Sequence, residues 1–113
     1  MVATSQLITA SDRGVVSFTA AVAARLRRLL DLARLHAEAA EWQSCAKTLN
    51  KFMKSAADLG YGDDGSQLMR GYFDCLETID DGLWASSPES INSAAAAAGE
   101  IVEIVEDFAR AGE

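Results

Sequence analysis

Between Gly14 and Gly60 the chain contains neither glycine nor proline. A stretch that long without a breaker leaves few folds open, and its apolar residues narrow them further. They recur at three and four residues, first as Val15, Phe18, Val22, Leu26, Leu29, Ala33, then as Trp42, Cys45, Leu49, Phe52, Ala56, Leu59. A half-buried strand would alternate with period two, whereas this spacing gathers one face of a helix. The first half therefore predicts helix throughout. It is either one helix over 12–59, about 70 Å long at 1.5 Å per residue, or an antiparallel pair with its corner near Glu38–Glu41. Ser11 or Asp12 suits the N-cap, since a short side-chain oxygen can accept from the free amides of the first turn. Residues 1–11 show no helical period and read as an N-terminal arm, with 12–113 as a single helical domain. Gly60 suits the left-handed residue that ends a helix.

The second half is punctuated more openly. YGDDGS, Tyr61 to Ser66, has the composition of a loop, and Asp64 or Ser66 can cap a third helix with Leu68, Tyr72, Cys75, Leu76, Ile79, Leu83 on its inner face. In SSPES, Ser87 is a good N-cap and Pro88 fits the first helical position, where its missing amide is not needed. Ile91, Ala94, Ala98, Ile101, Val105, Phe108 then alternate by three and four to the chain end, where Gly112 fits a stop. Only SQLIT resembles a strand. The expectation is an all-α antiparallel four-helix bundle, with helices near 12–37, 41–59, 66–84 and 88–111; the fallback is three helices, the first spanning 12–59. Half of the 113 residues are hydrophobic, but many are alanine, so the core depends on a limited set of larger side chains.

Two local resemblances bear on function. Leu29, Leu32, Ala33, His36, Ala40, Trp42, Cys45 and Leu49 resemble the size pattern of one tetratricopeptide repeat, which implies a helix–turn–helix corner; the match covers about one helical hairpin and does not recur. Glu38-x-x-Glu41 and Glu77-x-x-Asp80 resemble the paired carboxylates of the MazG-type nucleotide pyrophosphohydrolases. That resemblance implies a Mg²⁺ site built from Glu38, Glu41, Glu77 and Asp80, since hard cations take oxygen ligands. The spacer here is longer than that family's, and its denser acidic consensus and basic phosphate-handling residues are missing.

Charge is the sharper functional signal. Residues 1–60 carry eight basic and five acidic side chains, a balance of +3; residues 61–113 carry two basic and twelve acidic, a balance of −10. Asp74, Glu77, Asp81 and then Glu100, Glu103, Asp107 repeat an i, i+3, i+7 spacing, which lines carboxylates along one helix face about 5–6 Å apart per step, near the spacing of phosphates in a nucleic-acid strand. An acidic half argues against direct phosphate-backbone binding. Arg25, Arg27, Arg28 and Arg34 cluster on the first helix, and Arg27–Asp31 and Arg34–Glu38 are spaced as i, i+4 ion pairs. His36 has no carboxylate at three or four residues, the spacing at which a helix gathers metal ligands. Cys45 and Cys75 fall on apolar stripes and read as buried thiols. No nucleophile triad or phosphate loop is present. The N-terminus lacks the basic and apolar regions of a signal peptide, and the longest apolar run, Ala94 to Ala98, is too short for a membrane span.

These features predict a cytoplasmic, non-enzymatic, cofactor-free protein that binds another protein with a basic surface. Inhibitor or counter-defence, immunity and secretion-chaperone types all fit, acting through the acidic helical surface and possible mimicry of nucleic acid. The alternatives are the Mg²⁺-dependent hydrolase and a self-assembling helix, or homodimer, whose seam is the alanine-rich heptad.

Overall fold

The computed structural model describes the backbone of residues 2–60 and 65–111, and side chains over 19–59 and 71–110. It is an all-α bundle of α1 (Val2–Glu38), α2 (Trp42–Gly60), α3 (Gly65–Ala85) and α4 (Pro88–Ala111). Successive helices run antiparallel. Helix α1 packs on α2 and α4, α3 packs on the same two, and α2 and α4 meet across the middle, while α1 and α3 share no contact among the described residues. The molecule measures 59 × 25 × 18 Å. Its long dimension follows from α1, whose 37 residues rise about 55 Å.

The long-helix fallback is overturned, because the chain breaks at Ala39–Glu41. The Ala40 amide donates to Ala37 O at 3.0 Å and the Glu41 amide to His36 O at 2.8 Å. Ala40 takes the left-handed conformation, φ 59°. This is a Schellman ending with alanine where glycine is usual. Glu41 then starts α2, its carbonyl accepting from the Cys45 amide at 2.9 Å. At the other end, α1 begins at Val2 rather than at Ser11 or Asp12. Ala3, Gln6, Leu7 and Ala10 are good helix formers, and a capping residue offers a start without enforcing one. The side chains of Val15, Phe18 and Leu68, residues 61–64 of the loop expected over 61–66, and Gly112 lie outside the described residues, while Gly65 and Ser66 are already in α3.

The core draws on all four helices: Leu26, Leu30 and Ala33; Cys45, Leu49, Phe52 and Ala56; Tyr72, Leu76 and Ile79; Ile91, Ala94, Ala98, Ile101, Val102 and Val105. On α1 the buried line runs through Leu30, with Leu29 only half-buried, so this face is rotated one residue from the expected stripe. The Tyr72 hydroxyl, fully buried, donates to Ala56 O at 2.5 Å and ties α3 to α2. Burial pushes its pKa upward. Every buried side-chain nitrogen and oxygen among the described residues has a partner, as burial of polar groups demands.

The tightest packing is between α3 and α4. A Cβ on Gly82 would lie 2.5 Å from the Ser90 carbonyl oxygen and 2.9 Å from the Ala94 methyl. Only glycine there lets the two backbones approach so closely. Ser87 caps α4: its Oγ accepts from the Ser90 amide at 3.0 Å, and the Ser90 Oγ accepts from the Ser87 amide at 2.9 Å. This is a capping box with serine in the position glutamate usually holds. The Ser90 hydroxyl also lies 2.8 Å from Gly82 O, fastening the cap to the preceding helix.

Candidate functional site

Asp74, Glu77 and Asp81 are all exposed on α3, and Glu100, Glu103 and Asp107 are all exposed on α4. The local reason is the register. With Tyr72, Leu76 and Ile79 turned inward, the positions 74, 77 and 81 must turn out; with Ile101, Val102 and Val105 inward, so must 100, 103 and 107. Helices α3 and α4 lie side by side, and each row occupies the outer face of its own helix, with Glu77 also bordering the α2 side of α3.

Among the described residues few groups neutralise them, the charge of Arg27 acting on Glu103 being one. Asp107 pairs with Arg110 one turn away, and the Cys75 thiol donates to Glu100 at 3.1 Å. The carboxylates of Asp74, Glu77, Asp81 and Glu103 have no hydrogen bond or ion pair among the described residues. The basic residues of α1 are directed elsewhere. Arg27 does not pair with Asp31: it grips Glu106 of α4 through Nη2–Oε1 at 2.7 Å and Nε–Oε2 at 3.3 Å. That hydrogen-bonded carboxylate pushes the guanidinium pKa further up. Nor does Arg34 pair with Glu38; its guanidinium lies over Gly99 of α4, 3.1 Å from where a Cβ would stand. Both guanidiniums found tertiary neighbours that spacing along one helix does not reveal.

The four carboxylates of the suggested Mg²⁺ site are not brought together. Glu38 ends α1, and Glu41 sits at the corner with its carboxylate 3.2 Å from His36 Nδ1. Glu77 and Asp80 lie instead on a groove between α2 and α3. Asp80 also shares a pocket with Asn50, nine residues and about 13 Å along α2 from Glu41. Among the described residues no group of three or more His, Cys, Asp or Glu is placed to hold a metal ion. The corner that makes the bundle is what separates the pairs. It also brings His36 and Glu41, five apart in sequence, into contact.

Both cysteines are buried and free. Burial, and then the Glu100 carboxylate beside it, push the Cys75 thiol up to about 11; burial raises Cys45 as well. Thiols held protonated in this way are poor nucleophiles. Of the alanine run, Ala94, Ala95, Ala97 and Ala98 are buried in the bundle, and Ala96 is exposed. Among the described residues no helix is long and apolar enough to cross a membrane.

Sequence reasoning missed the α2/α3 groove. Met53, Ala57, Phe73 and Leu76 form its floor, with Lys54, Glu77 and Asp80 at its edges, enclosing about 400 Å³. Trp84, 82% exposed, stands at its continuation beside Leu83, Asn50 and Ser86. The signal was present, since Trp84 lies one position past Leu83 on the apolar stripe and so about 100° around the helix from it. A lone tryptophan in sequence does not say whether it turns in or out.

Comparison with known proteins finds no matching family model, no matching curated protein and no matching solved structure.

Proposed function

We propose that this chain is a small, acidic, non-enzymatic protein-binding module that engages a basic surface of another protein through Asp74, Glu77, Asp81, Glu100, Glu103 and Asp107. One observation supports this most: these six carboxylates are exposed on the outer faces of the neighbouring helices α3 and α4, and among the described residues only Asp107 forms an ion pair, with Glu103 also feeling the charge of Arg27. A charge balance of −10 over residues 61–113 surrounds them with a field of one sign. Such a field speeds encounter with a cationic partner and disfavours anionic ones. Two rows of carboxylates at about 5–6 Å per step also suit a groove built for a nucleic-acid backbone, so a nucleic-acid-binding protein is the partner class this face fits best. Blocking such a groove is an inhibitor's mode of action and requires no chemistry from this chain. Two buried, reduced thiols suit a cytoplasmic setting.

The test is charge reversal at Asp74, Glu77, Glu100 and Glu103, all to lysine, with the partner first captured from the native cell. Affinity should fall by about tenfold or more, the remaining binding should lose its salt dependence, and helix content should not change. An unchanged affinity in that variant would mean that the contact surface lies elsewhere.

A further inference from the structure

We propose that the chain also associates with itself head to tail, the outer face of α1 in one copy seating in the α2/α3 groove of the next. Three large apolar side chains are conspicuously exposed among the described residues: Leu32 at 44%, Leu35 at 62% and Trp84 at 82%. They belong to two faces of opposite charge. Leu32 and Leu35 lie one turn apart on the outside of α1, continuing a line that starts at Arg25 and Arg28, both exposed. Neither arginine has an ion pair among the described residues. Trp84 extends the groove floored by Met53 and Phe73, whose α3 edge carries Glu77 and Asp80. An amphipathic helix with basic residues beside its apolar stripe is the ligand that an apolar groove with an acidic edge accepts. This chain itself carries such a helix face. The cation among the groove's described lining residues, Lys54, has a counterpart in Asp31, exposed next to Leu32.

The fold dictates the symmetry. Helices α1 and α3 sit at opposite corners of the bundle and do not touch, so the α1 face and the Trp84 face point away from each other. One pair of copies cannot make both contacts about a twofold axis. The contact is heterologous, and it propagates until a ring closes or an open chain forms. One helix face in one groove is at the small end of protein interfaces, so association is concentration-dependent. Trp84 is its anchor, because an aromatic ring that loses its water on contact dominates small interfaces.

Sedimentation velocity tests this directly. At concentrations approaching millimolar and low salt, the wild-type mass should rise above that of one chain, fall as salt is added, and shift Trp fluorescence to the blue. Leu32→Glu/Leu35→Glu disables one face, and Trp84→Ala/Asp80→Lys the other. All four positions are exposed, so circular dichroism should show both variants folded, and each alone should sediment as a monomer. Mixed one to one, the two variants should form species of two chains and nothing larger, since only one productive contact remains between them. A wild type that stays monomeric throughout overturns the proposal, as does a mixture that stays monomeric while the wild type associates. Glu77 borders both this groove and the partner-binding face, but the substituted positions Leu32, Leu35, Asp80 and Trp84 all lie outside the six carboxylates of that face, so failure here leaves that assignment standing.

Discussion

The two tight corners of the bundle solve the same problem in different ways. At the α3/α4 corner the reversal is written into side chains. Ser86 takes φ 58°, its amide donates to Gly82 O at 3.2 Å and its hydroxyl to Leu83 O at 2.8 Å. Ser87 caps, Pro88 opens α4, and Ser90 completes the cap. At the α1/α2 corner the same left-handed turn is forced onto Ala40, with no side-chain cap on either helix beyond the His36–Glu41 contact. Left-handed geometry costs a residue bearing a Cβ about 1–2 kcal/mol relative to the right-handed helix. The α1/α2 corner therefore exists because α1 packs on α2, burying Leu30 and Ala33 in the same core as Cys45, Leu49 and Phe52. One corner is encoded locally; the other is imposed by packing.

The largest test strikes where the local and tertiary devices meet. Gly82→Ala places a methyl against the Ser90 carbonyl, which cannot move without dragging α4. We expect destabilisation of about 2–3 kcal/mol despite alanine's better helix propensity, read as a lower urea midpoint. Alkaline unfolding probes the same α3/α4 seam. Below pH 9 the Cys75 thiol is neutral whether the chain is folded or not. Between pH 9 and about 11 the folded protein keeps a proton that the unfolded chain releases, so stability falls across that window. Cys75→Ala should fall less over the same range in urea titrations, with Cys45 and Tyr72, also raised, supplying the remaining slope.

Ser87→Ala removes the α4 cap and should cost about 1 kcal/mol, visible in the thermal midpoint. Ala40→Gly should do the reverse, stabilising by about 0.5–1 kcal/mol by relieving the left-handed alanine. The sharpest contrast is the smallest effect. Ser86→Gly relieves the same backbone conformation but loses the bond to Leu83 O, so its net change should lie within about 0.5 kcal/mol of zero. If Ser86→Gly stabilised as much as Ala40→Gly, the hydroxyl would not be holding that corner, and the distinction between the two would fail.

The legibility of the molecule follows the same division. The apolar period and SSPES could be read directly, because each is a property of neighbouring residues. The inner faces of α2 and α4 match their expected stripes nearly residue for residue. The α1/α2 break was visible only as a choice between corner and continuous helix, since nothing at Ala37–Glu41 chemically enforces a stop. Of the functional candidates, the exposure of the six carboxylates follows from helical register alone. That four of them have no hydrogen bond or ion pair among the described residues does not, for Arg27 and Arg34 were equally well spaced to pair along α1 and instead reached across to α4.

By itself, then, the chain's order of residues determined the helices, their inward faces and the acidic character of its second half, because period, capping and charge are carried by residues within a few positions of one another. The tertiary structure alone decided that Ala40 turns left-handed, that Glu38–Glu41 and Glu77–Asp80 stand apart, that Ala94, Ala95, Ala97 and Ala98 are buried, and that Trp84 faces outward beside a groove. Each of these depends on which helix lies against which, and burial settles that only once all four are packed together.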